Sequence, residues 1–209
     1  MKTLLLMRHA KSSWKFKDLT DHQRPLNKRG RTDAPLMGHL ILDRELVPQQ
    51  ILCSTAERAR QTAQILVDTI KFEGEVSYLD RLYMAESEDH LAVLRELPDT
   101  VERVMVIGHN PGLETLLQEL SGRIESLPTA VLAHIVLPID HWSQLNGEAS
   151  GEMVEIWRPK DIREEIEEEE EKEKEKEKEK EKEEKEKKKG KAKETEKKDK
   201  KSKSKKKDK

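Results

Sequence analysis

The sequence predicts an α/β domain of three layers, with helices on both faces of a mainly parallel sheet. Three times along the chain a short, uninterrupted apolar run gives way to a polar turn and then to apolar residues at helical spacing. Runs that are apolar at every position suit strands covered on both faces, and a helix between successive strands returns them parallel.

The first run, "TLLLM" at 3–7, is short and uniformly apolar and reads as a buried strand rather than a surface helix. Beyond a polar loop, "NKRGRTDAPLMGHLILDREL" offers Asn27 and Asp33 as caps and Pro35 in a first turn. With Leu36, Leu40, Ile41 and Leu46 at helical spacings, it predicts a helix near 34–44. "QQILCS" reads as a second buried strand. "STAERARQTAQILVDTI" reads as a helix opened by Ser54 or Thr55, with Glu57 early in it, where a carboxylate complements the positive end of the helix. "LRELPDT" closes a further helix over 87–97. Residues 104–107 form a third interior strand, 108–112 a turn, and the residues after it a helix stopped by Gly122. "AVLAHIVLP" and "EMVEIW" read as two later strands, and the body holds no internal repeat.

Charged residues make up 40% of the 209, too many for one compact domain until they are located. Of 41 Lys+Arg and 43 Asp+Glu, 22 and 19 lie in 163–209, so residues 1–162 keep an ordinary globular composition with a formal charge of -5. A body of about 160 residues encloses a core as a single domain. The Glu/Lys-rich, low-complexity tail, 163–209, has Ile166 as its one sizeable apolar side chain and is expected to be solvated, disordered or partly helical. Strict Glu-Lys alternation puts like charges at i,i+4, which partly cancels the unlike pairs at i,i+3. A fraying helix is therefore expected over about 164–188, with disorder beyond Gly190. The Lys-rich end suits weak, salt-sensitive contact with acidic partners such as nucleic acid or anionic membrane; the plainer reading is a soluble spacer.

Cys53 is the only cysteine, which excludes an intrachain disulfide and fits a reducing cytoplasm. Arg8 and His9 cut the N-terminal apolar run short of a signal-peptide core. No other stretch approaches the roughly 20 apolar residues of a membrane helix, so a cytoplasmic protein without a transmembrane segment is expected.

In an open α/β sheet, ligands bind beyond the carboxyl ends of the strands. Arg8 and His9 follow the first strand, Ser54 to Arg58 the second, and Gly108, His109 and Asn110 the third. Two arginines and two histidines brought to one edge, beside helix N-termini, make a cationic pocket suited to a compact dianion such as phosphate. His22, His39, His90, His134 and His141 do not follow a strand to that edge and read as structural or surface residues. Histidine spacing and the lone cysteine give no support to a metal site.

"LLMRHAKSSW", "STAERARQTA" and "VIGHNPG", in that order, resemble the signature of the histidine phosphatase (phosphoglycerate mutase-like) superfamily, and the body as a whole is most similar to its SixA-type phosphohistidine phosphatases. "RPLNKRGRTDAP" resembles the segment that follows the first motif in that branch. The resemblance implies a phosphoglycerate mutase-like sandwich in which His9 is the nucleophile that takes up the phosphoryl group. Arg8, Arg58 and His109 would bind its oxygens, Arg24 would either add a further phosphate contact or form a loop salt bridge, and neither a metal nor any other cofactor would be required. The physics agrees: a neutral imidazole attacks phosphorus in line, and neighbouring guanidiniums disfavour its protonation and stabilise charge on the equatorial oxygens. Lys11, Ser12 and Ser13 are either phosphate donors or turn residues.

Two departures from the family pattern bear on substrate. Ala10 stands where glycine is commonest, which is acceptable if that residue avoids positive φ. The carboxylic acid with which many larger relatives protonate an alkoxide has no clear equivalent. Glu86, with Glu88 as the alternative, is the candidate general acid, yet both sit in an acidic run that reads as the start of a helix. An imidazole leaving from a P–N bond needs no such acid, and without a large insertion the pocket stays open to a protein side chain. Both points favour a phosphohistidine-containing protein as substrate, in signal transduction. A small-molecule phosphomonoesterase of the same superfamily and a non-catalytic phosphoprotein-binding module are the alternatives.

Overall fold

The computed structural model describes residues 1–146 and 151–178, and the chain divides into two units, Met1–Asp161 and Ile162–Lys209. The first unit runs β1 (Lys2–Arg8), α1 (Lys28–Asp43), β2 (Gln50–Ser54), α2 (Glu57–Ile70), β3 (Glu75–Leu79), α3 (Ser87–Arg95), β4 (Arg103–Gly108), α4 (Gly112–Ser121), β5 (Leu132–Leu137) and β6 (Glu152–Trp157). The strands form one sheet in the order β3-β2-β4-β1-β5-β6. β3, β2, β4 and β1 are parallel neighbours, whereas β5 runs antiparallel to β1 and β6 antiparallel to β5.

Leu4, Leu5, Leu6 and Met7 are all fully buried, as an interior strand flanked by β4 and β5 requires. Side chains alternate between faces. Leu4 and Leu6 join Val104, Val106, Leu91, Leu94, Leu113 and Leu117 in a cluster that includes α3 and α4. Leu5 and Met7 point to the opposite face, and α1 packs on α2. Helices thus cover both faces, giving the three-layer sandwich with a mainly parallel sheet.

The register fixes where the site lies. Arg8 pairs with Gly108 at the ends of β1 and β4, Cys53 pairs with Ile107, and β5 begins at Leu132 opposite Met7. The residues following β1, β2 and β4, together with the loop entering β5, therefore meet at one edge.

Several elements differ from the sequence prediction. α1 begins at Lys28, not near 34, with Asn27 as its cap: the Asn27 side chain accepts the Gly30 amide at 2.9 Å. Pro35 lies inside the helix rather than in its first turn, and Asp33 is buried beside Arg29. The early start is a tertiary effect. Gly30, lacking a Cβ, lets the first turn sit against the Lys11 backbone, and the Asn27 amide bonds the Lys11 carbonyl at 2.9 Å. α2 is opened by neither Ser54 nor Thr55; Ala56 takes the cap position without a side-chain bond. β3, "EVSYL", is an edge strand absent from the sequence reading. It is short and only partly buried, and becomes a strand by pairing with β2.

In Ile162–Lys209 the described residues, 162–178, are helical; the predicted stretch from 179 onward lies outside the described residues. Here the Glu run precedes the alternation, so Glu168–Lys172 and Glu170–Lys174 are unlike pairs at i,i+4, not the like pairs expected of strict alternation. Among the described residues no helix is long and apolar enough to cross a membrane.

Candidate active site

β1 carries the chain from the core directly into the cavity. The His9 amide donates to the Gly108 carbonyl at 3.1 Å, and the Ala130 amide reaches the carbonyls of Arg8 and His9 at 3.0 and 3.2 Å. Ala10 is fully buried, its amide bonded to Thr62 Oγ1 at 3.0 Å, and it is not among the residues with positive φ, so its methyl group is accommodated without backbone strain.

Two hydrogen bonds fix the His9 ring. Nδ1 lies 2.7 Å from the Ala10 carbonyl, and Arg58 Nε donates to Nε2 at 3.1 Å. A carbonyl only accepts and a guanidinium only donates, so the ring proton sits on Nδ1 and the lone pair on Nε2. His109 is fixed the other way round. Arg58 Nη2 faces its Nδ1 at 3.3 Å, and its Nε2–H donates to Ser54 Oγ at 2.8 Å. The two ring centroids are 5.0 Å apart. Ser54, expected to open α2, instead holds His109.

Burial pushes the His9 imidazole down to about 3, aided by the positive charges of Arg58, Arg8 and Arg24. His109 is likewise lowered to about 3, chiefly by burial, then by His9 and Arg58. Both rings are therefore neutral at physiological pH. Against an ordinary value of 6.5, these depressed values mean that the unfolded chain binds protons between pH 6.5 and about 3 that the folded chain does not. Stability is therefore expected to be full above pH 6.5 and to fall as the pH drops towards 3. Thermal melts across that window check it: a His9→Gln, His109→Gln double variant should show a shallower loss. His90 and His134, also lowered by burial, keep the slope above zero.

Arg58, 5% exposed in the first turn of α2, is the hub. Besides the two histidines it bonds the Asp21 carbonyl through Nη1 at 2.6 Å and Asp21 Oδ2 through Nη2 at 2.9 Å. Arg24, also buried, donates to Ser13 O at 3.1 Å, Ser12 Oγ at 2.6 Å and Asp21 Oδ1 at 2.6 Å, and lies over the Trp14 ring. Arg8 donates to the Leu127 carbonyl at 2.8 Å, while its Nε is buried with no partner among the described residues.

Arg8, His9, Arg24, Arg58 and His109 all line one cavity of about 430 Å³, with Lys11 and Ser12 at its wall. Ser13 does not line it; its carbonyl and hydroxyl serve Arg24 and the Lys15 amide. Glu86 is not brought into this cavity. It is exposed at the N-cap of α3, its amide bonded to Asp89 Oδ2 at 2.9 Å, and Glu88 pairs with Arg95. The acidic run serves the positive end of a helix. Of the remaining histidines, His22 bonds Thr55 at 3.0 Å, His39 is exposed, His90 is buried beneath Gly108, His134 stacks on Trp157 and His141 pairs with Asp99.

Sequence reasoning missed Asp21 and Tyr83. Tyr83 OH donates to Asp21 Oδ2 at 3.0 Å, and both residues line the cavity. The only sequence sign of Asp21 is its place three residues before Arg24; Tyr83 has none.

The sequence model of the histidine phosphatase superfamily (branch 1) matches residues 4–83. An uncharacterized protein of Mycobacterium tuberculosis is 34% identical over 150 residues, 66% of this chain and 91% of its own. An uncharacterized chloroplastic protein of Arabidopsis thaliana is 31% identical over 151 residues, 68% of this chain and 69% of its own. A structure of a protein assigned as phosphohistidine phosphatase SixA from Agrobacterium tumefaciens has a TM-score of 0.66 at 29% identity, covering 76% of this chain and 98% of that one. The protein histidine phosphatase SixA complexed with tungstate shares the fold, with a TM-score of 0.67 at 24% identity over 77% of this chain and 99% of that one.

Proposed function

Since this chain belongs to the histidine phosphatase superfamily and is a phosphatase, we propose that it removes the phosphoryl group from phosphohistidine on a protein, through a phosphoryl intermediate on His9. The observation that carries the reading is the tautomer of His9: with Nδ1–H given to Ala10, the lone pair is on Nε2 at the cavity wall, where it accepts from Arg58 Nε until attack exchanges that hydrogen bond for phosphorus. A neutral, oriented imidazole among guanidiniums is the arrangement that in-line attack on phosphorus needs. Arg8, Arg58, His109 and Arg24 are assigned to the phosphoryl oxygens, with the orphaned Nε of Arg8 a ready donor.

Attack by Nε2 forms an N–P bond as the substrate's P–N bond breaks, and the departing imidazole takes a proton from solvent. Water then attacks the phosphoryl group, inorganic phosphate leaves, and the lone pair returns to Nε2. The first step needs no dedicated acid, and Glu86 caps α3 and is not among the residues lining the cavity. The cavity mouth carries exposed apolar side chains, Trp14 at 74% and Met84 at 68% exposure, which suits a protein surface better than a small polar metabolite.

The test compares kcat/KM on a histidine-phosphorylated protein with that on 3-phosphoglycerate. A preference of at least 100-fold for the protein is expected; equal or reversed values would assign the site to small phosphomonoesters.

A further inference from the structure

Resting on that reading, we propose that Asp21 is the general base of the second step, taking a proton from the water that hydrolyses phospho-His9. Between Arg58 and His109 the sequence offers Glu86 and Glu88 as candidate carboxylates, and neither lines the cavity. The cavity does contain a carboxylate, but it comes from the opposite direction, on the loop between β1 and α1.

Asp21 is tied to the nucleophile through a single side chain. The Nε edge of Arg58 meets His9 Nε2 at 3.1 Å, and the Nη2 edge of the same planar group meets Asp21 Oδ2 at 2.9 Å. Phosphorylation of Nε2 displaces the Arg58 Nε hydrogen bond, and the attacking water is assigned to the cavity that His9 and Asp21 both line, beside that carboxylate. The Asp21 side chain keeps 42% exposure, so water has access and the side chain has room to turn.

Its protonation state fits a base and not an acid. Arg24, Arg58 and Tyr83 all donate to its two oxygens. Partial burial alone would raise the carboxyl, but the bonds from Arg24, Tyr83 and Arg58 outweigh it and hold Asp21 below the usual carboxylate range. A carboxylate kept ionised cannot protonate a leaving group, and the departing imidazole does not require it. The attacking water, in contrast, must lose a proton.

Substrate itself strengthens the base. Once phosphoryl oxygens occupy the donors of Arg58 and Arg24, Asp21 loses the bonds that depress its basicity while standing beside a new anion. The step balances: the water oxygen bonds to phosphorus and its proton passes to Asp21. The P–N bond breaks, its electron pair stays on Nε2, and Asp21 then releases the proton to solvent with the departing phosphate.

Rapid-quench kinetics with a protein phosphorylated on histidine by phosphoramidate, using alkaline quench, separates the steps. In Asp21→Asn, breakdown of phospho-His9 is expected to slow about 100-fold, with formation changed less than tenfold, so the phosphoenzyme accumulates. Asp21→Glu should recover part of the breakdown rate, and the acid limb of the breakdown pH profile should vanish in Asp21→Asn only. Equal losses in formation and breakdown would make Asp21 a positioning residue for Arg58 and overturn the proposal, as would wild-type breakdown in Asp21→Asn. Phosphoenzyme on His9 in neither protein would overturn the covalent reading itself.

Discussion

Replacing His9 by alanine is expected to lower turnover of a phosphohistidine protein by about 10⁴-fold or more and to eliminate the trapped phosphoenzyme. The imidazole is 7% exposed and makes two hydrogen bonds, one to its own neighbour's carbonyl and one from Arg58, so its loss removes little of the core. The guanidiniums of Arg8, Arg24 and Arg58 stay in place. Affinity for tungstate, an inorganic stand-in for phosphate, should therefore stay within about tenfold of wild type. That split between lost turnover and retained anion binding separates an enzyme from a phosphoprotein-binding module, in which His9→Ala would leave phosphoprotein affinity intact and there would be no turnover to lose. Steady-state rates and calorimetric titration with tungstate supply the two numbers.

The second large effect is expected at Arg58. Arg58→Ala should cost about 10³-fold in kcat/KM and weaken tungstate binding about 100-fold, because one side chain orients the His9 lone pair, faces His109 and restrains Asp21. Arg58→Lys should recover less than tenfold. A lysine ammonium is a point charge and cannot present the planar edge that meets His9 Nε2 on one side and Asp21 on the other. Full recovery with lysine would show that only positive charge matters at this position.

Much of the scaffold was legible because it is local. Residues 4–7, 51–53 and 104–107 are apolar at every position, and such runs are stable only between two covered faces; the structure buries them as the centres of β1, β2 and β4. Gly122 ends α4 in the left-handed region, at φ 68, as its place after the helical pattern implied. Arg8, His9, Arg58 and His109 could be singled out because each directly follows such a run or opens the helix beyond it, and a parallel sheet sends all those positions to one edge.

What the sequence determined by itself, then, is the alternation of strands and helices and the identity of the side chains delivered at the strand ends. Both follow from patterns within a dozen residues. Only the tertiary structure decided that α1 starts at Lys28, that "EVSYL" is a strand, that Ser54 holds His109 instead of capping a helix, and that the carboxylate in the cavity is Asp21 rather than Glu86. Each of those outcomes depends on a partner distant in the chain: the Lys11 backbone for α1, β2 for the edge strand, His109 for Ser54, and Arg58 with Tyr83 for Asp21. A hydrogen bond's partner is set by proximity in space, and for irregular loops that proximity has no periodic trace in the sequence.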